Sequence, residues 1–219
     1  MTDKTTISHG LILAPSRSLE RKKSGLIKRG LKLAGEIVRL LSAKDYYESG
    51  QVKMLDDRDE QGAIEDLTKA IELDPGYAAA YCSRGLAKFI LDDYQGGGED
   101  CTKAIELGLD KDDLELSYSL LGDIKYNLGD YQGSIEDFTK AIELDPGDGF
   151  YYSWRGGAKR KLGDYQGAVD DYTKAILLVD PPKAADYYYR GAVKRKLGDQ
   201  FGAENDIERA ENMGFDPSP

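Results

Sequence analysis

The residues of this 219-residue chain that could do chemistry fall into two sets, and both recur along it. Adjacent acids stand at Glu65-Asp66, Glu99-Asp100, Glu136-Asp137 and Asp170-Asp171, a pairing that serves general acid/base catalysis in other settings. Neighbouring residues on a helix diverge by about 100 degrees, and a pair repeated at a fixed period signals scaffold work rather than one active centre. Equally periodic lysines, Lys53, Lys88, Lys125, Lys159 and Lys194, are the expected partners, in ion pairs that align helices more than they stabilise them. The second set is aromatic and basic: Trp154, Tyr188 and Tyr189, the pairs Arg160-Lys161 and Arg195-Lys196, and Tyr126-Asn127 at the corresponding place. Tyr, Trp and Arg dominate binding hot spots, so this set points to recognition of a segment with carboxylates and an aromatic or aliphatic anchor. Catalytic and metal chemistry are not expected. His9 is the one histidine and lies ahead of the repeated region, and neither GxGxxG after a strand nor GxxxxGK[ST] occurs.

The elements that must position these residues are copies of one unit. LGDYQGAVDDYTKAI at 162–176 has relatives at 128–142, at 91–105 and, one residue longer in its turn, at 55–71, with a worn copy at 197–211. Gly50, Gly85, Gly122, Gly156 and Gly191 mark the register at separations of 35, 37, 34 and 35 residues. Each unit reads as helix, tight turn, helix. In the fourth, Tyr152, Gly156 and Ala158 give way to the breaker Leu162-Gly163-Asp164 before Ala168, Val169, Tyr172, Ala175 and Ile176 resume helical spacing. Asp74-Pro75 and Asp145-Pro146 end second helices, because proline lacks the amide a continuing helix needs.

On these residues the chain resembles the tetratricopeptide repeat (TPR) family. The family pattern of aromatic, Gly, Leu-Gly-x-Tyr, Ala, aromatic, Ala and Pro is met by Tyr152, Gly156, Leu162, Gly163, Tyr165, Ala168, Tyr172, Ala175 and, one residue late, Pro181. The resemblance covers roughly 44–217, as repeats of about 44–78, 79–114, 115–148, 149–183 and 184–217. It implies an all-α fold, a right-handed α-solenoid of five helical hairpins whose first helices line a concave groove. Trp154, Tyr188 and Tyr189 are expected on that inner side, while Tyr81, Tyr118, Tyr152 and Tyr187 are expected to pack between units. The carboxylate clamp of chaperone-binding members needs Lys and Asn, then Asn, then Lys and Arg on three successive first helices. Those places hold Tyr47 and Gln51, Ser83, and Leu116 with Leu120, or, from repeat three, Ser119 and Asp123, Trp154, and Ala185 with Tyr189. Neither reading supplies the clamp.

Charge and the chain ends refine the picture. Residues 1–43 carry 9 Lys+Arg against 3 Asp+Glu, and the remainder 21 against 37, so the repeats are acidic and should repel a nucleic-acid backbone. Cys82 and Cys101 fall at unrelated repeat positions and read as free thiols. No apolar run reaches the ~18 residues of a membrane span and the start lacks a secretory signal, which together suggest a cytoplasmic protein. Residues 1–23 read as a flexible leader. Leu26, Ile27, Leu31, Ala34, Ile37, Val38 and Leu41 recur at helical spacing, making 24–43 an amphipathic capping helix for the first repeat, or a basic 24–41 helix that docks on lipid or protein. At the far end, Glu204 and Glu211 replace the apolar residues that face the next unit elsewhere, which closes the array. Gly96-Gly97-Gly98 opens the second helix of repeat two and predicts a soft joint between repeats two and three, since each interior glycine costs about 1 kcal/mol relative to alanine.

These readings converge on a non-enzymatic interaction scaffold that holds a protein or peptide segment in its groove, without cofactor. A membrane-peripheral assembly factor using the basic 24–41 helix and a regulatory subunit of an enzyme complex are the alternatives.

Overall fold

The computed structural model describes residues 42–54 and 58–216. The predicted leader, and the capping helix but for its last residues, lie outside them. Among the described residues all regular structure is helical. Helix α1 covers 42–52 and closes in a π turn at 53–54. It is followed by α2 (Glu60–Leu73), α3 (Ala78–Ile90), α4 (Tyr94–Leu107), α5 (Lys111–Asn127), α6 (Tyr131–Leu144), α7 (Gly149–Leu162), α8 (Tyr165–Leu178), α9 (Ala184–Lys196) and α10 (Gln200–Asn212). Odd and even helices pair as hairpins, each hairpin packs on the next, and α3, α5, α7 and α9 also touch in succession along one face.

Each second helix begins the same way. Asp59, Asp93, Asp130, Asp164 and Asp199 are N-caps whose carboxylates accept the amide N–H of Gly62, Gly96, Gly133, Gly167 and Gly202 at 2.9–3.0 Å. A Cβ on any of these glycines would lie 2.1–2.3 Å from that same carboxylate, so the cap and the glycine require one another. The turn before each cap needs one residue in the left-handed region, filled by Gly129, Gly163 and Gly198 in the last three repeats and by Asp92, at φ 62°, in the second. At the register positions the first helix presses against the second: a Cβ on Gly122 would sit 2.8 Å from the Phe138 ring, and one on Gly85 2.8 Å from Cys101 Sγ. The core is a series of small clusters, one per hairpin or seam, centred on residues such as Leu67, Cys101, Phe138 and Tyr172.

Polar rungs tie the seams. In repeats one to four a buried aspartate, Asp66, Asp100, Asp137 or Asp171, pairs with a lysine of the periodic set at 2.6–2.8 Å, and in repeat five Asp206, outside the four acid pairs read from the sequence, pairs with Lys194 at 2.8 Å. Arg84, Arg155 and Arg190, each preceding a register glycine, add a bidentate pair to the aspartate of their own repeat. Each also donates at 3.0–3.1 Å to Thr68, Thr139 or Thr173 of the preceding repeat and stacks over Tyr81, Tyr152 or Tyr187. Tyrosines expected only to pack thus carry a cation on their faces. Repeat three has Leu121 at the arginine position, and Thr102 turns back to the carbonyl of Gly98 in its own helix.

Candidate functional site

The largest aromatic concentration lies on first helices α5, α7 and α9. A cavity of about 400 Å³ opens there, walled by Tyr126, Phe150, Trp154, Tyr172 and Tyr189, with Arg160, Lys183, Ser153 and Asp186 as its polar members and Gly157 and Ala185 completing it. Ring packing pre-forms the walls: Trp154 meets Tyr126 edge-on at 5.4 Å and Phe150 at 5.9 Å, and Tyr189 stacks on Tyr172 at 6.2 Å. Space exists because Gly157 stands where the other repeats have Gln51, Leu86, Asp123 or Ala192. A Cβ at Gly157 would make ordinary contacts, 3.6 Å to the Tyr126 ring and 3.7 Å to the Tyr172 hydroxyl, so the position is open rather than forced.

Three charged side chains sit among the rings, and the Lys183 ammonium lies over Phe150 at 4.9 Å. The Arg160 guanidinium lies over Tyr189 at 4.8 Å, and its buried Nε has no hydrogen-bond partner. Burial works against its charge, but the hydroxyl groups of Tyr172, Tyr126 and Tyr189 outweigh that and hold it above its ordinary value. Burial pushes the Tyr172 phenol up to about 12 despite the neighbouring Arg160. Asp186 is 1% exposed; its Oδ1 accepts from the Ser153 hydroxyl and its Oδ2 has no partner. Burial raises this carboxyl above the usual range, with Ser153 and Lys183 opposing. The cavity is therefore a ring-lined box with three charged side chains in its walls, two of which, Arg160 and Asp186, keep a buried atom without a hydrogen-bond partner.

Of the nine residues singled out from the sequence, Tyr126, Trp154, Arg160 and Tyr189 meet in this cavity. Lys196 lines a smaller hollow of about 140 Å³ shared with Arg160 and Tyr165. Tyr188 packs instead against Phe215 at 4.9 Å, so the chain's own C-terminal segment covers it. Asn127 donates to the carbonyl of Asp123 in its own helix, and Lys161 and Arg195 are exposed. Sequence reasoning passed over Phe150, Gly157, Tyr172 and Asp186. A visible signal existed for Gly157, a second glycine beside the register glycine; Tyr172 was hidden by its role as the packing aromatic of a second helix.

A second cavity, of about 390 Å³, lies between α4 and α5. Leu121, Ile124, Leu128, Tyr94 and Gly98 form its apolar part, and Glu99, Lys103, Glu106 and Lys125 its rim. It occupies the seam that lacks an arginine rung. Among the described residues no group of His, Cys, Asp and Glu is arranged to hold a metal ion, and no helix is long and apolar enough to cross a membrane.

The family model described as tetratricopeptide repeat matches residues 116–148. No curated protein matches the chain by sequence. Among solved structures, MamA residues 41 to the end from Desulfovibrio magneticus RS-1 superposes with a TM-score of 0.72 at 17% identity, covering 79% of this chain and 95% of that one. YrrB, described as a TPR protein with an unusual peptide-binding site, superposes at 0.70 and 19% identity over 84% and 90%. Cut9, from the Cut9–Hcn1 assembly of the APC/C, gives 0.61 at 21% identity over 88% of this chain and 36% of the other. Residues 116–148 are thus a tetratricopeptide repeat, and the helical array around them has the tetratricopeptide-repeat fold.

Proposed function

We propose that this protein is a non-enzymatic interaction scaffold whose ligand is a protein or peptide segment lying along the first helices, anchored in the aromatic cavity of α5, α7 and α9. The observation that carries the reading is the cavity itself, a ring-lined box of about 400 Å³ with two cations, Arg160 and Lys183, over rings of its wall. A box of this size admits one large side chain, and the rings that form it are held by one another, so little ordering is spent on binding. Beyond the box, Lys161, Arg195 and Lys196 project on the same first helices and suit carboxylates flanking the anchor, whereas second helices expose acids such as Glu136, Glu143, Asp170 and Glu204. An acidic segment with an aromatic or aliphatic anchor is the complementary partner. YrrB, which shares the fold, is described by a peptide-binding site, which adds weight to peptide capture as the use of such an array.

The test is a quantitative capture from native extract with wild type and with Trp154→Ala/Arg160→Ala/Tyr189→Ala, the variant's helicity checked by circular dichroism. Specific partners of the wild type are expected to be lost from the variant. An unchanged set of partners from a folded variant rejects the assignment.

A further inference from the structure

We infer that the anchor taken by the aromatic cavity is a neutral side chain that carries a hydrogen-bond donor, tryptophan or tyrosine, and not phenylalanine or an aliphatic residue. This rests on the peptide-scaffold reading and names the partner residue that the same cavity fits. Asp186 lines the cavity, is 1% exposed, and leaves Oδ2 without any partner while Ser153 occupies Oδ1. A buried acceptor left unpaired carries its full desolvation cost, which a ligand's N–H or O–H removes once a turn of the Asp186 carboxyl presents Oδ2 to the cavity. A cationic donor, the side chain of lysine or arginine, would meet Arg160 and Lys183 on the same lining, so the donor must be neutral. Aromatic walls then select an aromatic body bearing a polar edge, the property that distinguishes Trp and Tyr from Phe. On the other side the unpaired Arg160 Nε is a donor for a carbonyl or carboxylate of the segment that carries the anchor. Ring contacts alone would hold Phe as well as Trp; the orphaned Asp186 oxygen separates them.

Calorimetric titration of the full-length chain with the pentapeptides Ac-Glu-Asp-X-Glu-Asp-NH2 tests this, with X as tryptophan, as 3-benzothienylalanine, which has nearly the shape of tryptophan but no N–H, and as phenylalanine. The tryptophan peptide is expected to bind about tenfold or more tightly than the other two, the value of one hydrogen bond to a charged acceptor. That preference should collapse in Asp186→Ala; should the variant fail to fold, the comparison of tryptophan with benzothienylalanine on the wild type decides alone. Equal affinities overturn the inference and leave an aromatic-anchor scaffold standing. No binding of the tryptophan peptide overturns it too, and the native-extract capture then decides the scaffold reading separately.

Discussion

The seam between repeats two and three and the seam between repeats three and four are built from the same repeat and hold together differently. At the second, Arg155 joins Asp171 and Lys159 within its repeat and reaches Thr139 across the seam. At the first, Leu121 replaces the arginine, glycine replaces the β-branched residue at 98, and a cavity of about 390 Å³ remains. Burial raises Asp137, and its single cation, Lys125, does not reverse that, whereas Arg190 and Lys194 together overcome burial and hold Asp206 below the usual range. Asp66, with Lys53 and the Ser49 hydroxyl but no guanidinium, is also held below the usual range, so it is a second donor on the carboxylate, and not arginine alone, that separates Asp66 and Asp206 from Asp137. The aromatic cavity takes Tyr126 from repeat three, which lacks the arginine, and its other four rings from repeats four and five, where Arg155 and Arg190 complete the rungs.

The largest break in this comparison is Asp171→Ala. It strands Arg155 and Lys159 in a partly buried rung and should cost about 3–5 kcal/mol in denaturant unfolding. Asp137→Ala, which strands only Lys125, a side chain 33% exposed, should cost about 1 kcal/mol. Equal losses would mean that the arginine rung adds nothing.

Next in size is Asp123, also on α5. Burial pushes its carboxyl up to about 7, and Oδ1 has no partner. A carboxyl raised in the folded state favours folding below its unfolded value and loses that advantage as pH rises, here between about 4 and 7. Asp123→Asn should therefore gain stability relative to wild type across that window, by up to about 4 kcal/mol at pH 8. A wild type minus variant difference that is flat with pH would contradict the assignment. The aspartates of the rungs give opposite signs: Asp206, held low, loses its contribution as pH falls through its folded value, while Asp137, held high, loses its contribution as pH rises. Carboxyl NMR titration should place Asp137 above Asp206.

Smaller effects repair the weak seam. A Cβ on Gly98 would meet Ile124 at 3.5 Å and Leu121 at 4.0 Å, ordinary contacts, so Gly98→Ile should fill the cavity and add about 1–2 kcal/mol. It should also slow hydrogen exchange over 96–113, which in the wild type is expected to exceed that over 133–146. Gly96→Ala, two residues away, should destabilise because the Asp93 cap occupies its Cβ position at 2.3 Å. Asp92→Gly relieves a left-handed residue at φ 62° and should gain about 1 kcal/mol, read as a shift in the urea midpoint.

The repeat register, the hairpins and the Lys–Asp pairs were legible because each is a local pattern written five times. Part of the cavity was legible for the same reason: Trp154, Arg160 and Tyr189 depart from the repeat on one helix face. Asp186 was not, since an acid in the first turn of a helix reads as a favourable dipole partner and its burial depends on Ser153 of the preceding repeat. Arg84, Arg155 and Arg190 stand before register glycines in three repeats, a signal present in the sequence whose meaning needed the threonine one hairpin earlier. Tyr188 illustrates the opposite case, an inner-side residue claimed by Phe215 from beyond the last helix.

The two cavities give the most direct test. A photo-crosslinking benzophenone amino acid is placed at Ala185, on the aromatic cavity, or at Gln95, on the rim of the cavity between α4 and α5, and each protein is irradiated in native extract. Crosslinked partner from position 185 and none from 95 is the outcome the account predicts; partner captured from 95 alone would contradict it.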